Sequence, residues 1–391
     1  MKLSDLYWHR VTPLHLLLWP LSLLFNLFLN IRKLCYWLDF FPSVKLPVPV
    51  IVVDSITTDD GGKTPFVSWL IRTLLARGLC PGIVTQGGPD HSGQPEAVSN
   101  LNSQTRIRSK ALLLAKRFEH ACPVWVGNNV ADVAQALLQA HPDCNVIICT
   151  FGLQYPRLER DFEIAVADFD ESSFGNGLLL PAGPLRASLK RLRSVDAVVI
   201  NSSRKLHFDT DDWAPTYPMK LVGDTVYNLS KSEVRHPVSI LKDQTLQAVT
   251  TYGNAQWLAN QLQHHGLKGK LQAVADDHRF VEKDFSSIQA EVIIMLEEEA
   301  IQCREFVTDK VWALPVEAWV NGEMQARVLN MLREKFADSD VLNELTCPNC
   351  KCPLRHLEQE NSLICDQEQL TFPIKDGIPV LQLQDSGKLA A

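Results

Sequence analysis

The chain has 391 residues, enough for two or three domains and an ample core. A hydrophobic share of 46%, a charged share of 21%, a net charge of −7 and a pI near 5.9 describe a globular protein with membrane-seeking stretches. They exclude a body built to bind nucleic acid. The ten cysteines do not form a disulfide framework in a chain this long: six are scattered among apolar runs and four fall in the last 45 residues, as expected of a reducing cytosol with one local metal site.

Residues 1–45 stand apart. Leu14 to Leu29 reads LHLLLWPLSLLFNLFL, with Arg10 before it, Arg32 and Lys33 after it, and Trp8, Tyr36 and Trp37 as interface anchors. The run is shorter than the roughly 20 residues of a comfortable span, and Pro20, Ser22 and Asn26 interrupt it. No small-residue cleavage site follows, so a removed signal peptide is not expected. The expectation is a helix lying in or dipping into a bilayer, and the competing reading is a buried core helix.

The next stretch, Val48 to Thr73, reads VPVIVVDSITTDDGGKTPFVSWLIRT. A β-branched run, a polar turn and the apolar spacing Phe66, Val67, Leu70, Ile71, Leu74 predict strand, turn and amphipathic helix. That is the setting a phosphate-binding loop needs, with backbone amides and the helix N-terminus for phosphate, a Lys for charge and a hydroxyl for Mg²⁺. The candidate nucleotide loop is Thr57, Thr58, Asp59, Asp60, Gly61, Gly62, Lys63 and Thr64. Thr57 stands where the usual first Gly would be, and a bare Gly-Lys-Thr is often an ordinary solvated turn.

From residue 46 to 336 the pattern alternates. Strands are expected at Val50–Val53, Gly82–Thr85, Val146–Thr150, Glu163–Asp168, Asp196–Asn201, Leu246–Thr251, Leu271–Ala275, Val292–Leu296 and Trp312–Val316. Helices are expected at Pro65–Arg77, Val130–Ala140, Ala255–His265 and Val316–Lys335. This predicts an α/β, P-loop NTPase-like domain, its mostly parallel sheet flanked by helices. Residues 202–240 read as a loop-rich insertion. Residues 337–344 are a polar linker, and residues 345–391 read as a small zinc-ribbon-like β domain. Its Cys347-x-x-Cys350 and Cys365 supply three of a ribbon's four thiolates. Glu368 replaces the expected fourth Cys, so either Cys352, Glu368 or His356 completes a zinc shell or the tail folds without metal.

Together these pieces resemble the tetraacyldisaccharide 4′-kinases (lipid A 4′-kinases) of Gram-negative bacteria over roughly residues 14–335. The resemblance rests on PLSLLF in the N-terminal helix, on IT-x-x-x-x-GKTP at Ile56–Pro65, on Gly152–Gln154 with Arg157, Arg160 and Asp161, and above all on FGNGLLLPAGPLR at Phe174–Arg186. The tail resembles the zinc-ribbon-like partner subunits of methyltransferases through CPxC, LIC and FPIKDGIPVL. The resemblance implies a kinase at the cytoplasmic face of the inner membrane. It would move the ATP γ-phosphoryl group, with Mg²⁺, to the 4′-hydroxyl of an acylated disaccharide 1-phosphate, giving lipid IVA. It implies phosphate and metal roles for Lys63 and Thr64, and a base element at Asp277 and His278. Read from the residues alone, His278 is a surface turn residue in a charged stretch.

The departures from the family fall on the chemistry. Asp59 and Asp60 replace loop glycines, and Asp54-Ser55 replaces Gly-Asn. The acidic pair that helps hold Mg²⁺ is Thr150-Phe151, and the Gly-Asp-Glu-Pro that supplies a carboxylate falls near Ser109-Lys110-Ala111. An Arg is lost at Thr85–Asp90, and a Lys becomes Glu298 in Leu296–Glu299. Two readings follow: a divergent lipid A 4′-kinase bound to the membrane surface, or a catalytically impaired relative serving as a membrane-bound scaffold with the C-terminal domain docking a protein partner.

Overall fold

The computed structural model describes residues 8, 13–38, 40–58, 61–88, 91–100, 109–119, 121–153, 155–168, 174–201, 212–231, 234–276, 278–303, 309–338, 341–342, 344–357 and 360–388. A first sheet is built from β1 (Val50–Asp54), β2 (Pro81–Gln86), β3 (Glu96–Ala97), β4 (Val124–Gly127), β5 (Val146–Cys149), β6 (Phe162–Asp168), β7 (Ala197–Asn201) and β8 (Thr216–Val222). The chain then leaves for a second sheet of β9 (Thr225–Asn228), β10 (Arg235–Pro237), β11 (Leu246–Thr251), β12 (Gly269–Val274), β13 (Val292–Leu296) and β14 (Val311–Leu314). It returns to the first at β15 (Glu317–Val320).

The first sheet runs in the order β15-β8-β7-β6-β1-β5-β2-β4-β3 and is parallel from β8 to β4. Its β1 is Val-Ile-Val-Val-Asp, buried at every position, as a strand covered on both faces must be. The chain fills one side of β1 before turning to the other, so the strand order reverses at β1. Such a reversal opens the crevice in which α/β sheets bind ligands. The second sheet, β10-β9-β14-β13-β11-β12, has a parallel centre and its own hydrophobic core.

Eight helices of the described residues frame these sheets. They are α1 (Pro13–Trp37), α2 (Lys63–Leu75), α3 (Ser109–Arg117), α4 (Val130–Ala140), α5 (Tyr252–His264), the one-turn α6 (Lys283–Ser286) and α7 (Glu297–Ala300), and α8 (Gly322–Phe336). The apolar face of α2 buries Phe66, Val67, Leu70, Ile71 and Leu74 in the main core. Asn129 and Asn321 begin α4 and α8 by accepting from the amides of Ala131 and Glu323, at 3.3 and 3.0 Å.

The structure corrects the sequence reading in three places. There are two parallel-centred sheets, since strand–helix alternation looks the same whether it feeds one sheet or two. The expected helix from Val316 starts only at Gly322, because Glu317–Val320 pairs antiparallel with β8. The described part of the expected insertion supplies β8, β9 and β10, which build both sheets; residues 202–211 lie outside the described residues.

The tail forms β16 (Arg355–Leu357), β17 (Ser362–Cys365), β18 (Leu370–Lys375), β19 (Ile378–Pro379) and β20 (Gly387–Lys388) in one antiparallel sheet. It packs onto the kinase-like body. Leu345, Phe372, Ile374 and Leu381 share the main core, and the Leu381 amide donates to the Gly78 carbonyl at 3.1 Å. Gly78 lies just beyond the C-terminal end of α2, and a Cβ there would stand 2.4 Å from a Val380 methyl.

Candidate active site

The phosphate-loop candidate sits at the C-terminal end of β1. Gly61 and Gly62 have φ of +59° and +83°, and a Cβ on either would press on Asp168 of β6 or on Met219 and Leu221 of β8. Both conditions favour glycine. They deliver the chain into α2, whose first turn is Lys63, Thr64 and Pro65; its N-cap, Gly62, offers no side chain to cap it. Asp59 and Asp60 lie outside the described residues.

Asp54, the last residue of β1, is the carboxylate of this crevice. It is 7% exposed, accepts the Lys63 ammonium at 3.2 Å and the Ser55 amide at 2.8 Å through Oδ1, and accepts the Gly152 amide at 3.0 Å through Oδ2. Sequence reasoning recorded Asp54 only as a lost glycine. Its place directly after a buried β-branched run was the available signal. Next to it, the hydroxyls of Ser55 and Thr57 lie 2.9 Å apart. Thr150 spends its hydroxyl on Thr85 of β2 at 2.7 Å, and Phe151 is buried with its ring edge-on to Tyr155.

The Phe174–Arg186 block explains itself through geometry. Leu185 pairs with Thr57 as an isolated bridge, the Thr58 amide donates to the Pro184 carbonyl at 3.1 Å, and the Arg186 amide donates to the Ile56 carbonyl at 2.7 Å. The block therefore forms one wall of the loop. Its other side holds α1: Ser22 donates to the Leu179 carbonyl at 2.8 Å and accepts the Ala182 amide at 3.0 Å, and the Trp8 indole donates to the Pro181 carbonyl at 3.3 Å. Ser22, first read as a break in an apolar run, is the buried pin of that helix. The rest of α1 exposes Leu17, Leu21, Leu24, Phe28, Ile31 and Trp37, which excludes the buried-core-helix reading. Leu17–Trp37 is long and apolar enough to cross a membrane.

Other family-like residues hold the frame. Asp161 accepts the Val50 amide and pairs with Lys335, both within 2.8 Å, which raises the pKa of Lys335. Glu163 is gripped by Arg160 and Arg191. Burial lowers the pKa of Arg160, which also donates to the Gly152 carbonyl at 2.8 Å. His278 follows β12 and lies 2.8 Å from the Asp284 carboxylate; Asp277 lies outside the described residues. Although burial opposes it, hydrogen bonds from Val281 and His278 keep the Asp284 pKa low. Among the described residues, His278 makes no hydrogen bond or ion pair with the loop. Asp284 went unread in the sequence because only a folded turn brings it back onto the imidazole.

In the tail, the sulfurs of Cys347, Cys350 and Cys365 lie within 4.8 Å of one another, with Cys350 and Cys365 at 3.4 Å. Tetrahedral zinc thiolates at about 2.3 Å from the ion stand about 3.8 Å apart, so three positions fit. Cys352 falls outside this group, its sulfur 2.6 Å from the Gln367 side-chain oxygen. Burial pushes the Cys365 thiol up to about 11.

Comparison with known proteins matches residues 14–333 to the model of the family described as LpxK: Tetraacyldisaccharide-1-P 4′-kinase, and residues 338–377 to that of Trm112p-like protein. A tetraacyldisaccharide 4′-kinase of Nitrosomonas eutropha is 40% identical over 99% of this chain and 98% of its own, and that of Nitrosomonas europaea 38% identical over 100% and 98%. Both alignments therefore run through the tail. The chain also resembles a crystal structure of LpxK from Aquifex aeolicus in complex with ATP, with a TM-score of 0.68 and 24% identity over 82% of this chain and 99% of that one. At that identity the likeness concerns the fold.

Proposed function

The chain belongs to the tetraacyldisaccharide-1-P 4′-kinase family, and from that premise we propose its reaction. It transfers the γ-phosphoryl group of ATP to the 4′-hydroxyl of a tetraacylated disaccharide 1-phosphate, giving lipid IVA, at the cytoplasmic face of the bacterial inner membrane. The observation that supports this most is the shared wall: one block grips α1 by Ser22 and the phosphate loop by Thr57 and Thr58. An acylated acceptor then enters from the side of the exposed apolar helix and meets the nucleotide at the other end of that block.

The roles follow the geometry. The first-turn amides of α2 and the Lys63 ammonium bind the β- and γ-phosphates, with Thr64 as the hydroxyl donor to Mg²⁺. Mg²⁺, when bound with ATP, offsets phosphate charge as the terminal bond breaks. His278, oriented by Asp284, takes the proton of the acceptor hydroxyl. The scaffold reading gains nothing from the comparisons. Purified protein in detergent is expected to move label from γ-labelled ATP to the tetraacylated disaccharide 1-phosphate in a Mg²⁺-dependent way, and to sustain a strain depleted of the kinase. Absence of both results would remove the kinase reading.

Cys347, Cys350 and Cys365 bind one zinc ion, which holds the two halves of the tail together before it docks. Elemental analysis of the purified full chain should find about one zinc per chain, with most of it lost on Cys347→Ser. A metal-free native protein would show that hydrophobic packing alone folds the tail.

A further inference from the structure

We infer that Asp54 is the metal carboxylate of this site, a role moved from the end of β5 to the end of the adjoining strand β1. The inference rests on the kinase reading above and adds a residue to it. P-loop kinases hold Mg²⁺ with the loop hydroxyl and an acid from a neighbouring strand. Here β5 is followed by Thr150-Phe151; the Thr150 hydroxyl is engaged by Thr85, and the Phe151 side chain has no oxygen to offer. β1 and β5 are parallel neighbours with Val52 beside Cys149, so continuing the register sets Asp54 beside Phe151. The Gly152 amide on Asp54 Oδ2 ties the two strand ends together at that level. The carboxylate thus reaches the crevice from one strand over.

The charge balance points the same way. Lys63 neutralises Asp54 before nucleotide arrives. When the phosphates draw Lys63 away, a buried carboxylate is left facing a polyanion, and the repulsion is relieved only by a cation between them. Asp54 and Thr64 are both hard oxygen donors, the chemistry Mg²⁺ selects. The site then has a signature that a purely structural Asp54 lacks: it weakens metal-free ATP binding and strengthens the binding of Mg²⁺·ATP.

The test is calorimetric titration of ATP in EDTA and in Mg²⁺, on the full chain and on Asp54→Asn, which keeps an acceptor for the Gly152 amide. Asp54→Gly with Phe151→Asp is the second variant. Asp54→Asn should bind metal-free ATP more tightly. The factor by which Mg²⁺ improves its affinity should shrink by roughly the 10- to 100-fold that losing metal-site partners costs. Phe151→Asp in the Asp54→Gly background should restore that factor. An unchanged Mg²⁺ factor in Asp54→Asn, or weaker metal-free binding, overturns the proposal even if lipid phosphorylation is intact. A wild-type protein with the expected Mg²⁺ factor but no lipid product would instead overturn the reaction and leave the metal role standing.

Discussion

Replacing Lys63 with Met is expected to slow phosphoryl transfer by roughly 10²–10³-fold, the loss found when one preorganised group facing developing charge is removed. Lys63 is the one cation joined to the loop's carboxylate among the described residues, and it opens α2, where the backbone already favours anions. The fold should survive the change. Asp54 loses its ammonium partner but keeps two backbone amides, from Ser55 and Gly152, so its charge is not stranded without donors. Lys63→Arg should not restore the rate, because a planar fork on a longer reach does not replace a compact ammonium. Steady-state kinetics beside a melting curve decide the matter. A Met variant with a native melting temperature and near-native rate would show that the loop does not hold the transferred phosphate.

How much of this was legible depended on how local the cause was. β1 and α2 were readable because a buried β-branched strand and a one-sided helix write their periods into the sequence. β15 was not, since Glu-Ala-Trp-Val runs directly into the apolar spacing of α8, and only pairing with β8 makes it a strand. The site divides in the same way. Lys63 and Thr64 are marked by their neighbours. Asp54 becomes meaningful only when β5 lies alongside and Lys63 folds back, contacts 98 and nine residues away in sequence. The Phe174–Arg186 block was recognisable by resemblance, yet its task of joining α1 to the loop is written in hydrogen bonds with carbonyls, which leave no residue signature. In the tail, Cys347, Cys350 and Cys365 gather as their spacing suggests, while the Cys352 sulfur meets the Gln367 side chain, a contact set by the turn and not by spacing.

Arg117→Met is expected to cost about 3–5 kcal/mol of stability. Arg117 ends α3, and its guanidinium is paired with Glu297 at the start of α7 while donating to the Ser68 hydroxyl on α2 at 3.3 Å. It therefore ties the phosphate-loop helix to the second sheet's lobe. The two side chains are 8% and 10% exposed, and Glu297 has besides the Arg a hydroxyl donor in Tyr227 at 3.1 Å. Methionine fills the aliphatic space but leaves a buried carboxylate without a counter-charge, which costs far more than the pair itself contributes. The pair is not fully satisfied either, since the Arg117 Nε hydrogen finds no acceptor among the described residues. Adding Glu297→Gln to Arg117→Met should accordingly recover most of the loss, because an uncharged amide keeps the Tyr227 bond without the desolvated charge. Urea midpoints for both single variants and the double variant close this cycle. A loss below about 1 kcal/mol for Arg117→Met would mean that water reaches Glu297 as it would a surface pair.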